Sequence, residues 1–377
     1  MAAIRIISAV DHVFEPADLW SRRLSRCKWG DRIPHIERAS DGSDWWIVDG
    51  QKKPLANIAQ VGALLDDRAI APDRWEQIPE AAYDPAERLR AMDRDGVEYA
   101  VLYPTLSGCS GEFLGAISSL ELESECVRAY NDWLIEEWAS SSNRFVPQCI
   151  LPLGPAHLAV AEIERAVAKG HRGVIFPAAP MHLRDVAHIN SAGYDPIWAA
   201  CQKLEVPLCF HAGSAPDLFQ FPISPHLAPT LAAALQAVMR PASAVFDLTN
   251  ILFSRILLRF PKLNVIFAES TIGWGAFLLE YADHQYEQDH CAYELKPSEM
   301  FRRQCYLTTW FDPVKINLPH IGADRILWAT NFPAANSTWP QSQAFVDQCL
   351  AGVAAEERHQ VLRRNTARLY KLRLQDR

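Results

Sequence analysis

The chain has 377 residues, 49% of them hydrophobic and 22% charged, with a formal net charge of -8. That is ordinary globular composition with enough length for a large core. The acidic balance, with no Lys/Arg run, argues against a nucleic-acid or anionic-membrane surface.

The start, Met1-Ala2-Ala3-Ile4-Arg5-Ile6-Ile7, is too soon interrupted by charge to read as a signal peptide. No stretch approaches the roughly 18 apolar residues of a membrane span. Nine cysteines are scattered without a C-x-x-C pair, an odd count that suggests no disulfide framework. Reduced thiols and a cytoplasmic location are the expectation.

In chain order, the apolar, β-branched run Ile4–Ala9 predicts a first buried strand, ending in Val10-Asp11-His12-Val13-Phe14-Glu15-Pro16. Residues 17–80 show no clean periodicity but carry Trp20, Trp45, Trp46 and Trp75. They read as a long ordered insertion that covers something. Asp84-Pro85 opens a helix through Met92, ended by Gly96; Val97–Tyr103 is a strand; Leu120–Trp138 is a long amphipathic helix. Strands follow at Phe145–Leu151, Gly173–Phe176, Val206–Phe210, Asn264–Ala268, Cys305–Thr309 and Arg325–Thr330. Helices are expected between them at Pro155–Lys169, Pro196–Leu204, Ala244–Phe260 and Ile272–Gln288, with closing helices over 342–371.

Eight strands alternating with helices imply βαβ units and a parallel sheet. The expected fold is an α/β protein, a distorted (β/α)8 TIM barrel forming one domain over 1–377. An open doubly wound sheet is the alternative. No G-x-G-x-x-G follows the first strand, which argues against a dinucleotide site.

Barrel active sites form at the C-terminal strand ends. Those ends deliver Asp11, His12 and Glu15, then His211, then Glu269, then Asn331 in Trp328-Ala329-Thr330-Asn331-Phe332-Pro333. His157, His171, His182 and His188 read as surface residues.

Several stretches together resemble the amidohydrolase-related family, the branch of the amidohydrolase superfamily that includes aminocarboxymuconate-semialdehyde decarboxylase and the hydroxybenzoate decarboxylases. They are Ile7–Trp20, Ala129-Tyr130-Asn131-Asp132-Trp133-Leu134, Phe260-Pro261-Lys262-Leu263, Phe267–Trp274, and Ile326–Pro333 with Ser337-Thr338-Trp339-Pro340. The resemblance implies one divalent metal, commonly zinc. Its ligands would be an acidic-or-His-x-His pair on the first strand, a His on the fifth and an Asp on the eighth. Residue by residue these fall on Val10, His12, His211 and Asn331.

Val10 has no lone pair. Asn331 offers only a neutral amide oxygen, a poorer ligand than a carboxylate, and it takes up no proton near neutral pH. Two imidazoles alone fall short of the three or four protein ligands of a zinc site. The leading expectation is therefore an enzyme without a metal cofactor, using His12 or His211 as general acid/base. Glu269 would orient it, and Asn331 would donate a hydrogen bond to a developing anion. Decarboxylation, dehydration, isomerisation or cyclisation of a small carboxylated or carbonyl substrate suits that set. Asp11, Glu15, Trp274 and Phe332 are the expected substrate contacts. Two alternatives stand beside it. One is a decarboxylase or hydrolase dependent on zinc or manganese, held by His12, His211 and a rearranged Asp11, Glu15 or Glu269. The other is a non-catalytic binding relative. The expected partners are a small-molecule substrate and a second copy in a homodimer, with no nucleic acid or membrane.

Overall fold

The computed structural model describes residues 5–58, 72–214, 224, 226–291 and 294–374. The described residues form eleven strands: β1 Ile6–His12, β2 His35–Arg38, β3 Asp44–Val48, β4 Gln51–Pro54, β5 Val97–Tyr103, β6 Phe145–Ile150, β7 Gly173–Ile175, β8 Leu208–His211, β9 Val265–Ala268, β10 Cys305–Thr309 and β11 Ile326–Trp328. Eight form one sheet in the order β1-β5-β6-β7-β8-β9-β10-β11, and every neighbouring pair is parallel. With its surrounding helices this is a (β/α)8 barrel. All eight strands are apolar runs with almost every residue buried, as a sheet covered on both faces requires.

The barrel closes between β1 and the segment after β11 by a few specific bonds. Asn331 N donates to Val10 O at 3.0 Å and His12 N to Phe332 O at 2.6 Å. Thr330 N donates to Ser8 Oγ at 2.8 Å. The β1–β5 register shifts between Ser8 and Asp11. This irregularity turns Asp11 into the seam, where it accepts from Ser8 Oγ at 2.7 Å and Thr330 Oγ1 at 2.6 Å.

The helices follow local chemistry. Asp84 caps Pro85–Asp95 by accepting from Glu87 N, and Gly96 ends it at φ 73°. The helix expected over Ala244–Phe260 is two, Ala242–Phe253 and Ile256–Arg259, divided where Arg255 takes φ 64°. The sequence reading names no element between Gly213 and Ala244, yet Pro229–Met239 is a helix. Its Leu231, Val238 and Met239 are exposed, so it lacks the polar face that helical periodicity detects.

The segment 17–80 contains a helix at Leu19–Arg23 and the antiparallel sheet β2-β3-β4; its residues 59–71 lie outside the described ones. Trp20 and Trp46 are fully buried, with ring centroids 5.1 Å apart. Trp20 Nε1 donates to Cys126 O at 3.0 Å, which fastens the segment to helix Leu120–Trp133. Lys53 on β4 lies 4.0 Å over the Phe113 ring, beside the loop that follows β5. These two tryptophans are therefore core residues.

His171 is buried, against the surface position expected for it, and its Nε2 pairs with Asn131 O at 2.9 Å. Burial lowers its pKa from 6.5 to about 4. Between those values the unfolded chain binds a proton that the folded chain does not, so stability rises with pH through that window and is lost as pH falls through it. The full shift corresponds to roughly 3 kcal/mol. Urea titrations at pH 7 and pH 4.5 are expected to show His171→Gln losing less stability on acidification than the parent.

Candidate active site at the C-terminal ends of the strands

His12 ends β1, His211 ends β8 and Glu269 follows β9; parallel neighbours β8 and β9 set His211 opposite Ala268. The three side chains meet. His12 Nε2 is 3.3 Å from His211 Nε2 and 3.5 Å from Glu269 Oε1, and His211 Nε2 is 4.0 Å from the same oxygen. One ligating atom from each lies within 4.8 Å of the others.

The tautomers follow from the partners. His12 Nδ1 is 3.0 Å from Pro104 O and His211 Nδ1 is 2.9 Å from Ala212 O. A carbonyl only accepts, so both Nδ1 atoms carry the proton. The Nε2 atoms then face each other, each with a lone pair wherever its ring is neutral, with the Glu269 carboxylate alongside. Lone pairs at that separation repel unless a cation or proton lies between them. A backbone carbonyl on Nδ1 is also the outer support that fixes an imidazole for metal ligation.

Electrostatics agree with this. Burial holds His211 down at about 4, only partly offset by Glu269, so the ring is neutral near pH 7. Burial alone would raise Glu269, but His211, His12 and Arg240 prevail and hold it at about 2. Its anion is therefore present throughout the working range.

Backbone strain accompanies the site. Glu269 has φ 51°, Thr271 φ 55° and Asn331 φ 54°. Left-handed conformations are uncommon in non-glycine residues, and they concentrate where a side chain must be aimed. Asn331 is fully buried, and neither Oδ1 nor Nδ2 has a partner among the described residues. An unsatisfied buried amide is costly, and such groups are completed by water, an ion or a ligand.

Tyr103, which ends β5, was missed in the sequence because it reads as one more apolar strand residue. Its ring centroid is 5.9 Å from His12 and 5.3 Å from His211. Below it, Gln148 Oε1 accepts from Tyr370 Oη and Cys209 Sγ, each at 2.9 Å. Arg240 was also missed; its Nη1 lies 3.9 Å from Glu269 Oε2. It falls in a stretch where no strand end predicts a functional group.

The four residues expected to contact substrate have the following partners in the fold. Asp11 is held in the seam, 3.9 Å from buried Arg88. Glu15 is fully buried and accepts from Thr105 N, Leu106 N, Ser107 N and Ser107 Oγ, which fixes the loop after β5. Trp274 is half-buried and its Nε1 donates to Ser270 O at 2.7 Å. Phe332 is buried, with the Arg88 guanidinium 4.1 Å over its ring and Trp339 edge-on.

Known proteins resemble the chain along most of its length. A gamma-resorcylate decarboxylase of Polaromonas sp. (strain JS666) is 26% identical over 304 residues, covering 74% of this chain and 87% of the relative. A crystal structure of an amidohydrolase from Mycobacterium avium subsp. paratuberculosis K-10 superposes with TM-score 0.77 at 19% identity, covering 98% of this chain and 100% of that one. A dihydroxybenzoic acid decarboxylase from Polaromonas sp. JS666, solved with bound manganese and the inhibitor 2-nitroresorcinol, superposes with TM-score 0.66 at 20% identity over 97% of each chain.

These findings correct one expectation. Absence of a metal was inferred from Val10 and Asn331, yet the decarboxylase of the same fold carries manganese. The inference gave the losses at Val10 and Asn331 more weight than the alternative in which Glu269 completes the set with His12 and His211. Among the described residues, Glu269, just after β9, lies with His12 and His211 in a group that could hold an ion. A family model described as amidohydrolase matches residues 34–372, and the chain belongs to that family.

Proposed function

We propose that this protein is a divalent-metal-dependent decarboxylase of a small hydroxylated aromatic acid. The observation that carries the reading is the facing pair of Nε2 atoms, 3.3 Å apart beside the Glu269 carboxylate, with both Nδ1 atoms against backbone carbonyls. His12, His211 and Glu269 would hold the ion, and the amide oxygen of Asn331 is chemically suited to join them. Two imidazoles and one carboxylate are a donor set for manganese, iron or zinc. When bound, such an ion supplies Lewis acidity toward a substrate oxygen.

The chain's own groups favour decarboxylation over hydrolysis. Hydrolysis needs a base that takes a proton from water. Asn331 accepts none, and Glu269, held at about 2, is a weak base. Loss of carbon dioxide takes no proton from water; it needs charge stabilisation at the ring and delivery of one proton to the ring carbon that loses the carboxylate, a proton that solvent supplies. Tyr103 walls the imidazoles, and the Glu15 bonds hold the β5 loop in place beside them. The named activity of the 26%-identical relative supports the same reaction class.

The test is carbon dioxide release from a panel of hydroxybenzoates, including 2,6-dihydroxybenzoate, by protein loaded with manganese. Turnover that requires manganese and is abolished in His211→Ala is the expected result. A panel turned over equally well after exhaustive chelation would refute the metal-dependent reading; a panel with no turnover would refute the aromatic-acid reading.

A further inference from the structure

We infer that Tyr370 is a positioning residue whose hydroxyl, from the floor of the barrel, sets the spacing of the His12 and His211 imidazoles; its consequence for metal binding rests on the metal-dependent reading above. Tyr370 follows the short helix Asn365–Leu369 near the C-terminus, yet it is only 1% exposed. It packs in one apolar cluster with Tyr103, Cys209, Ile266 and Leu327. Inside that cluster its Oη donates to Gln148 Oε1 at 2.9 Å, and the Cys209 thiol donates to the same oxygen at 2.9 Å. Tyr370 Oη and Cys209 Sγ are 3.4 Å apart. The Tyr103 hydroxyl lies among these three groups, all of which act on its ionisation.

The cluster reaches each imidazole by a separate route. Cys209 precedes His211 by two residues on β8, so the two side chains share one face of the strand. Tyr103 ends β5, and the next residue supplies Pro104 O, the acceptor that holds His12 Nδ1. Tyr370 therefore ties the strand that carries one imidazole to the strand end that supports the other. The backbone leaves room for this. Gln148 on β6 pairs with Gly173 on β7, and a Cβ at Gly173 would lie 2.6 Å from Gln148 Oε1 and 3.0 Å from Tyr370 Cε1. A side chain there would displace the amide and the phenol together.

Bulk alone does not account for these groups. Phenylalanine would fill nearly the same space as Tyr370 without burying a hydroxyl, and a buried polar atom costs free energy unless it is bonded. Bonded polar groups inside a core fix one arrangement of the elements that carry them. Here the arrangement fixed is that of two Nε2 atoms 3.3 Å apart. Outer partners of metal ligands typically change metal affinity by about 10- to 100-fold. Tyr370 acts through one further group, so its effect belongs at the lower end of that range.

The experiment takes two readouts on the full chain: manganese affinity by competition with a chelating indicator, and ring 15N NMR of the metal-free protein labelled at histidine. His12→Gln and His211→Gln assign the two signals. In Tyr370→Phe manganese affinity is expected to fall about tenfold. The His12 and His211 signals are expected to move while the remaining histidines and the circular dichroism stay those of the parent. Cys209→Ala is expected to act in the same direction, and Cys209→Ser, which keeps a donor to Gln148, to recover most of the loss; this pair decides the matter if Tyr370→Phe does not fold. Affinity and both signals unchanged in Tyr370→Phe, or in Cys209→Ala where that pair decides, would overturn the assignment. So would a shift of every histidine together with loss of circular dichroism, which is general loosening of the fold. A parent that binds no manganese, with the two signals still moving in Tyr370→Phe, would overturn only the metal-dependent reading.

Discussion

Glu269→Gln and His211→Ala are each expected to strip the protein of its metal and to lower metal-dependent turnover by more than about 100-fold. Loss of an outer support of a metal ligand typically costs about 10- to 100-fold, and a direct ligand lies above that range. The two variants fail for different reasons. Glu269→Gln keeps the side chain's size but removes the anion facing both Nε2 atoms, 3.5 and 4.0 Å away. His211→Ala removes one of the two imidazoles and leaves Glu269 with His12 Nε2 at 3.5 Å and Arg240 Nη1 at 3.9 Å. Metal analysis beside far-UV circular dichroism separates loss of the ion from loss of the fold. Retention of a full equivalent of metal in Glu269→Gln would remove that residue from the set.

Asp11→Ala is expected to destabilise the fold by about 3–5 kcal/mol, the usual cost of leaving one member of a buried ion pair uncompensated. Arg88 is fully buried, Asp11 is its charge partner, and Arg88 also donates to Ala81 O at 2.7 Å and to His12 O at 2.6 Å. Removing the carboxylate strands the guanidinium and deletes the acceptor that ties Ser8 to Thr330 across the barrel seam. Asp11→Asn keeps the acceptor oxygen and is expected to lose less. Urea denaturation of the three proteins checks the order. A loss below 1 kcal/mol in Asp11→Ala would show that the seam is held by other contacts.

The barrel was legible because each of its strands is a short apolar run bounded by turn or capping residues, a pattern the buried parallel sheet requires. Strand ends moved by only a few residues, as between Val206–Phe210 and the observed Leu208–His211. The β2-β3-β4 sheet was not legible. Its edge strand Gln51–Pro54 is two lysines between a glutamine and a proline, which carries no apolar alternation.

At the site, His12, His211 and Glu269 were legible as polar residues ending apolar strands. Their use was not. A strand-end carboxylate looks the same whether it ligates an ion, pairs with arginine or caps a loop. Glu15 and Asp11 show this: Asp11 lies near the end of β1 and Glu15 just beyond it, yet Glu15 accepts four bonds from the β5 loop and Asp11 is drawn into the seam by a register shift. Arg240 comes from an inter-helix junction, and only the three-dimensional path across Gly213 reveals it.

Metal content of the protein, purified with no chelator present and measured by inductively coupled plasma mass spectrometry, tests the central claim most directly. The account predicts close to one equivalent of manganese, zinc or iron per chain in the parent, removed by chelation together with activity and restored with manganese. A parent protein that carries no transition metal, takes up none on dialysis against manganese, and turns substrate over undiminished in chelator would contradict it.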